Sequence, residues 1–364
     1  MYFRIFDCWR FTAAMLVMTY HFLYFAPGQG AVAGTAVLHR LLPLLDMFFM
    51  ISGFFIASRY HDKIHSIGEY ATFLRRRIAR LYPLHLITLA FFVGVALIGS
   101  TGLVHLSETQ RWDFAVLPLQ LLAVHAWGTT DALAFNYPSW SVSAEIFCYL
   151  LFPLILVVAR DSGLRGLVLL LAVWVGALEL LSRRGVFPSG HWTDADTLGA
   201  YRAFADFLAG SIAALLVGRR VLAVRSHLPG LGFLALAVAA MLGEFSPYVS
   251  LVLLFLAILF VGLSETARPR STAVLAPLMP LTRLSFGIYL WHPVMETIFL
   301  SLLWKRVIEP TGTVSFYLVW LLPMAASIAA AFLSERFLEG RIARVLAGPS
   351  PAAKPKPAAV LAKV

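Results

Sequence analysis

Charge is what this 364-residue chain has least of: 13% of it is Asp, Glu, Lys or Arg, about half the share of an ordinary soluble domain. Cysteine is nearly absent. Cys8 and Cys148 are the two present, too few and too far apart for a disulfide framework or a cysteine-based metal site, so both read as packing residues. Self-similarity at a period of 20–50 residues is also missing, which excludes a solenoid or propeller. No polar stretch is long enough to build a soluble domain of any size. What fills the chain instead is apolar: 60% of residues are hydrophobic and the mean hydropathy is +0.81. These values define an all-α, polytopic membrane bundle.

Apolar runs of crossing length fall near 6–26, 37–58, 79–99, 140–159, 166–182, 200–218, 228–243, 247–264, 283–304 and 314–334. The run at 114–126 is interrupted by Pro118 and is too short to span. About ten crossings with both termini cytoplasmic leave Arg40, Arg111, Arg183, Arg184, Arg202, Lys305 and Arg306 outside and the other 22 of the 29 Lys and Arg inside. That is the bias expected of positive charge in membrane proteins. The net charge of +10 thus reflects topology and contact with anionic membrane lipids rather than nucleic acid. The first span reads as retained rather than cleaved, because His21 and several tyrosines interrupt it and its loss would spoil the charge balance. Residues 1–344 form one membrane domain; 345–364 read as a disordered basic cytoplasmic tail.

Ionisable groups within a bilayer cost roughly 2.5–3.5 kcal/mol each, so they mark function by default. Arg10 and His21 are eleven residues apart in the first span, within about 20° of one helix face and about 16 Å apart along the axis. By the same rise, Asp46 of the second span, Glu145 and His292 all reach toward the midplane, His292 about 14 Å in from Arg283. Such a set supplies a general base with an orienting acid, although each group could equally satisfy a helix-packing hydrogen bond. His21, Glu145 and Asp46 are the catalytic candidates, with His292 a further one. The run LRRRIAR at 74–80 puts Arg77 and Arg80 on one face at the inner end of the third span. Together with Arg10, and with Arg59 as an outlying candidate, they could clamp a phosphate from the cytosol, since guanidinium forks match phosphate oxygens. Ser52-Gly53 and Gly287 read as points of close helix contact. Trp112, Trp127, Tyr137 and Trp192, in the outer loops, suit either stacking on a sugar or anchoring at the interface.

Five segments in series resemble the bacterial acyltransferase family 3. DCWRFTAAMLVMTYH matches its Arg, ten residues, His opening. DMFFMISGFFI resembles its Asp-aromatic-Ser-Gly helix, RRRIARLYPLHL its Arg-x-x-Arg and Pro helix, SWSVSAEIFCYLLFP its Trp-Ser-x-Ser-x-Glu helix, and YLWHPV a late motif. The matches run in order from Asp7 to about Arg341. The family's closing Glu-Arg-Pro stands here as SERFLEGRI without proline, so no role is carried to Glu335 or Glu339.

The resemblance implies an inner-membrane O-acyltransferase that takes an acyl group, commonly acetyl, from cytosolic acyl-CoA without a metal. The implied acceptor is a sugar hydroxyl of a surface or secreted polysaccharide, or of a lipid-linked oligosaccharide precursor. His21 would be the base, and Arg10, Arg77 and Arg80 would serve the donor. The rival expectation is a transporter or flippase of a lipid-linked saccharide, which would use the same polar midplane for binding alone.

Overall fold

The computed structural model describes residues 3–102, 106, 109–340, 342 and 345, and these form helices and loops without strands. The long helices are α1 (Arg4–Leu23), α2 (Gln29–Arg40), α3 (Leu44–Tyr60) and α4 (Ile67–Ser100), then, after the short α5 (Leu117–Leu121), α6 (Trp140–Asp161) and α7 (Gly163–Arg183). They continue through α8 (Gly199–Gly218), α9 (Leu228–Leu242) and α10 (Pro247–Ala267). A short α11 (Met279–Thr282) leads into α12 (Ser285–Met295), which runs on as a wider π-type turn through Glu296–Ile308; α13 (Phe316–Val319) and α14 (Leu321–Ser334) close the bundle. Eight of the described helical segments are long and apolar enough to cross a membrane, and α9 is a shorter apolar helix. The tail expected at 345–364 lies almost wholly outside the described residues.

Two sequence expectations shift. The run at 37–58 is not one helix: α2 ends at Arg40, and the chain turns through Leu41–Pro43 before α3 begins at Leu44. Proline cannot donate a helical hydrogen bond but its fixed φ suits a helix start, so Pro43 breaks the run and opens the next. Helix α4 begins earlier than expected, because Ser66 and Glu69 form a capping box. The Ser66 Oγ accepts from the Glu69 N–H at 3.2 Å, and the Glu69 carboxylate accepts from the Ser66 N–H at 3.1 Å. That box satisfies donors the first turn leaves free and sets the arginine run on a rigid rod.

Helices α3 and α8 are the most intimate pair. A Cβ added at Gly53 would overlap the Phe207 carbonyl, and one added at Gly210 would overlap the Met50 carbonyl. Without side chains in the way the two backbones meet, and this is how helices associate where no hydrophobic drive distinguishes protein from lipid. The segment around α5 does not cross; it folds back into the bundle. Several of its polar groups are met internally: His85 Nε2 lies 2.8 Å from the Gln120 carbonyl, Gln120 Nε2 donates to the Ala134 carbonyl at 3.3 Å, and the Ala126 N–H donates to Ser143 Oγ at 3.0 Å. Irregular backbone inside a membrane bundle requires such satisfaction.

Candidate active site

Helices α1 and α12 pack together, and each carries polar groups toward its two ends on one face. On α1 that face holds Asp7 and Arg10 near the start and His21 near the end, with Ala14 and Val17 between; on α12 it holds Tyr289 and His292 beside Phe286, with Glu296 one turn further. Spacings of three and four residues keep these side chains in line. A cavity lies at each end of this shared face.

At the arginine end, Arg10, Arg77, Arg80, Ser52, Glu145 and Tyr149 line a slot of about 100 Å³ walled by aromatic rings. Arg10 lies 5.5 Å over the Phe48 ring, and Arg77 lies 5.2 Å over Tyr60 while donating to the Tyr60 hydroxyl at 2.8 Å. Guanidinium groups stack well on such faces. The Nε atoms of Arg10 and Arg77 are nevertheless buried without a hydrogen-bond partner, so two cations of this slot have capacity to spare. Glu145 accepts from the Ser52 hydroxyl and, at 2.5 Å, from the Tyr149 hydroxyl. Arg10, Arg80 and Phe286 also line an adjoining cavity of about 250 Å³, shared with Asp7, Arg283 and Glu335.

At the other end, His21, Arg111, Tyr137, Glu296, Lys305 and Arg306 line a larger cleft of about 750 Å³. The His21 ring packs 4.7 Å from Tyr137 and is stacked 5.4 Å from His292. The Tyr137 hydroxyl donates to Glu296 at 2.9 Å and lies 3.4 Å from His292 Nε2. An imidazole pair, a phenol and a carboxylate therefore meet in one partly open site, which can accept, hold and return a proton.

The four titratable groups expected to converge are thus divided. His21 and His292 stand together, Glu145 joins the arginines, and Asp46 enters neither cavity. Asp46 is 2% exposed and pairs bidentately with Arg202, at 2.6 Å from Nε and 2.9 Å from NH2, locking α3 to α8. The division follows from lateral position, which depth along a helix does not report. Arg59 is exposed over the Tyr60 ring and lines neither cavity. Trp192 is buried and donates to the Tyr248 hydroxyl, and Trp127 donates to the Ser143 carbonyl, whereas Trp112 and Tyr137 line the cleft. Ser52, read as a packing residue, also serves Glu145. The cleft also holds Arg111 and Glu296, which no motif singles out, although Glu296 lies four residues beyond His292 and so shares its helix face.

Apolar helices of crossing length around these two cavities define a multi-pass membrane protein. A family described as an acyltransferase domain matches residues 3–336, and the chain belongs to that family. Acyltransferase MdmB from Streptomyces mycarofaciens is 37% identical over 166 residues, which are 43% of this chain and 40% of that protein. The matched stretch thus spans less than half the length of that relative. No solved structure matches the chain.

Proposed function

We propose that this protein is an O-acyltransferase of the bacterial inner membrane that moves an acyl group, commonly acetyl, from cytosolic acyl-CoA to a sugar hydroxyl. The acceptor is a surface or secreted polysaccharide or its lipid-linked precursor. The observation that carries the reading is the common face of α1 and α12, with an arginine slot at one end and the His21 cleft at the other.

In this reading the phosphates of the donor meet Arg10, Arg77 and Arg80, and the pantetheine arm follows the shared face toward His21, about 16 Å further along α1. The acceptor hydroxyl enters the opposite cleft and gives its proton to the neutral His21 imidazole as its oxygen attacks the thioester carbonyl. The C–S bond breaks, and the coenzyme A thiolate leaves and takes up a proton, so that the imidazole returns to its starting state. His292 packs against the His21 ring, and Tyr137, tethered to Glu296, contacts both imidazoles. Glu145 acts at the donor end, where its carboxylate, held by Ser52 and Tyr149, shares the slot with the three guanidinium groups.

The test is binding of radiolabelled acetyl-CoA to the full chain in lipid nanodiscs. Saturable binding is expected, weakened roughly tenfold or more by Arg10→Gln or Arg77→Gln, because charged hydrogen bonds contribute about 1.5–3 kcal/mol. His21→Ala should bind the donor yet transfer nothing. A transporter of lipid-linked saccharides requires no such binding, so a chain that does not hold acetyl-CoA would favour that reading.

A further inference from the structure

Arg111 is built into the wall of the histidine cleft as few surface arginines are. Its carbonyl accepts from the Phe135 N–H at 2.8 Å, and its Nε donates back to the Phe135 carbonyl at 3.2 Å. This two-point clasp holds Phe135 in the left-handed region at φ 53°, a conformation that a bulky residue adopts only where its surroundings enforce it. The guanidinium lies 5.1 Å from the Trp112 ring, 5.2 Å from Tyr137 and 5.4 Å from Phe92. Its NH2 is buried and has no hydrogen-bond partner. A planar donor so fixed, and left with a free edge, is arranged to receive an anionic oxygen.

The rest of the cleft agrees in sign. Arg306 stands with Arg111 in its lining, Lys305 beside them pairs with Glu309 at 3.1 Å, and the lining carboxylate, Glu296, already accepts from Tyr137. A neutral sugar hydroxyl could accept a single hydrogen bond from this half-buried guanidinium, whereas a carboxylate or phosphate would accept two and pair with its charge as well. The geometry points to an acidic acceptor: a saccharide bearing a carboxylate or phosphate close to the hydroxyl that His21 deprotonates, with Arg111 as the residue that selects it. This rests on the acyltransferase reading and narrows it.

The experiment is to restore the full chain to a deletion strain, separate its surface and secreted glycans by anion exchange, and measure O-acyl groups in each fraction by proton NMR. The acyl groups are expected in the acidic fraction. At equal protein abundance, Arg111→Gln should lower them about tenfold to a hundredfold, with Arg111→Lys between the two. In vesicles supplied with the purified acidic glycan, Arg111→Gln should act mainly through the acceptor KM and remove its dependence on ionic strength. Retained acetyl-CoA binding by the same variant shows that the bundle is intact. Carboxyl reduction or dephosphorylation of that glycan before assay identifies which acid pairs with Arg111. Acyl groups confined to neutral glycans would overturn the inference and leave the transferase reading standing. So would a fall in kcat at unchanged KM, which would make Arg111 a stabiliser of the reaction's oxyanion. If the wild type restores no acyl groups in any fraction, the transferase reading itself fails and this inference with it.

Discussion

The buried pair between Asp46 and Arg202 allows a prediction that separates architecture from chemistry. Both side chains are nearly inaccessible, at 2% and 7% exposure, and Asp206, one turn beyond Arg202 on α8, is buried beside them. Removing one partner of a buried pair costs about 3–5 kcal/mol, because the other charge stays behind uncompensated. The two single changes should not be equal. Asp46→Ala leaves Arg202 with Asp206 still near, which places the loss at the lower end, about 3 kcal/mol. Arg202→Ala leaves two carboxylates and no cation, which places it at the upper end, about 5 kcal/mol. Replacing the whole set together, as Asp46→Leu, Arg202→Met and Asp206→Leu, removes every buried charge at once. Since apolar replacement of a complete buried cluster is often neutral or stabilising, that variant should recover most of the loss. Denaturant titration of the purified chain, followed by tryptophan fluorescence, gives the order; acyl transfer by the triple variant gives the role. Because none of the three residues lines either cavity, transfer should survive. An Asp46→Ala chain as stable as wild type would refute the energetic argument, and a stable but inactive triple variant would return Asp46 to the chemistry.

Glycine packing gives a second prediction: Gly53→Ala, driven against the Phe207 carbonyl, should destabilise by about 1–3 kcal/mol. Gly94→Ala, which meets open space, should be neutral or gain up to about 1 kcal/mol of helix propensity, as read by thermal unfolding in detergent. Among the tryptophans, Trp112→Ala should raise the acceptor KM with the fold intact, whereas Trp192→Ala should lower thermal stability by about 3–5 kcal/mol. Tyr149→Phe deletes a hydroxyl donated to Glu145 and should weaken acetyl-CoA binding by about tenfold, measured by equilibrium binding, without altering the acceptor KM.

Much of this was legible in the sequence because hydropathy and helical spacing report along a helix axis. The alignment of Arg10 with His21 and the placing of Arg77 and Arg80 on one turn needed only the rise and pitch of a helix, and both pairs line cavities where that spacing puts them. What the sequence does not encode locally is which helix faces which. Asp46, Glu145 and His21 have similar depths, yet α8 supplies Arg202 to claim the first, the arginine rod of α4 surrounds the second, and α12 reaches the third. Arg202 looked like an outer-loop cation because nothing in its neighbourhood announces a partner 156 residues away. Trp192 had the composition of a loop aromatic, but its burial depends on Tyr248 and Ser182, contributed by other elements. Pro43 interrupts the apolar run at 37–58, and hydropathy alone does not register the break.

The most direct test of the central claim is O-acyl content, by proton NMR of surface and secreted glycans, in a deletion strain carrying either the wild-type chain or His21→Ala at equal abundance. The account predicts that acyl signals return with the wild type and stay absent with the variant, although both chains bind acetyl-CoA. Equal signals from the two would contradict it, making His21 a packing residue and removing the histidine cleft from the chemistry.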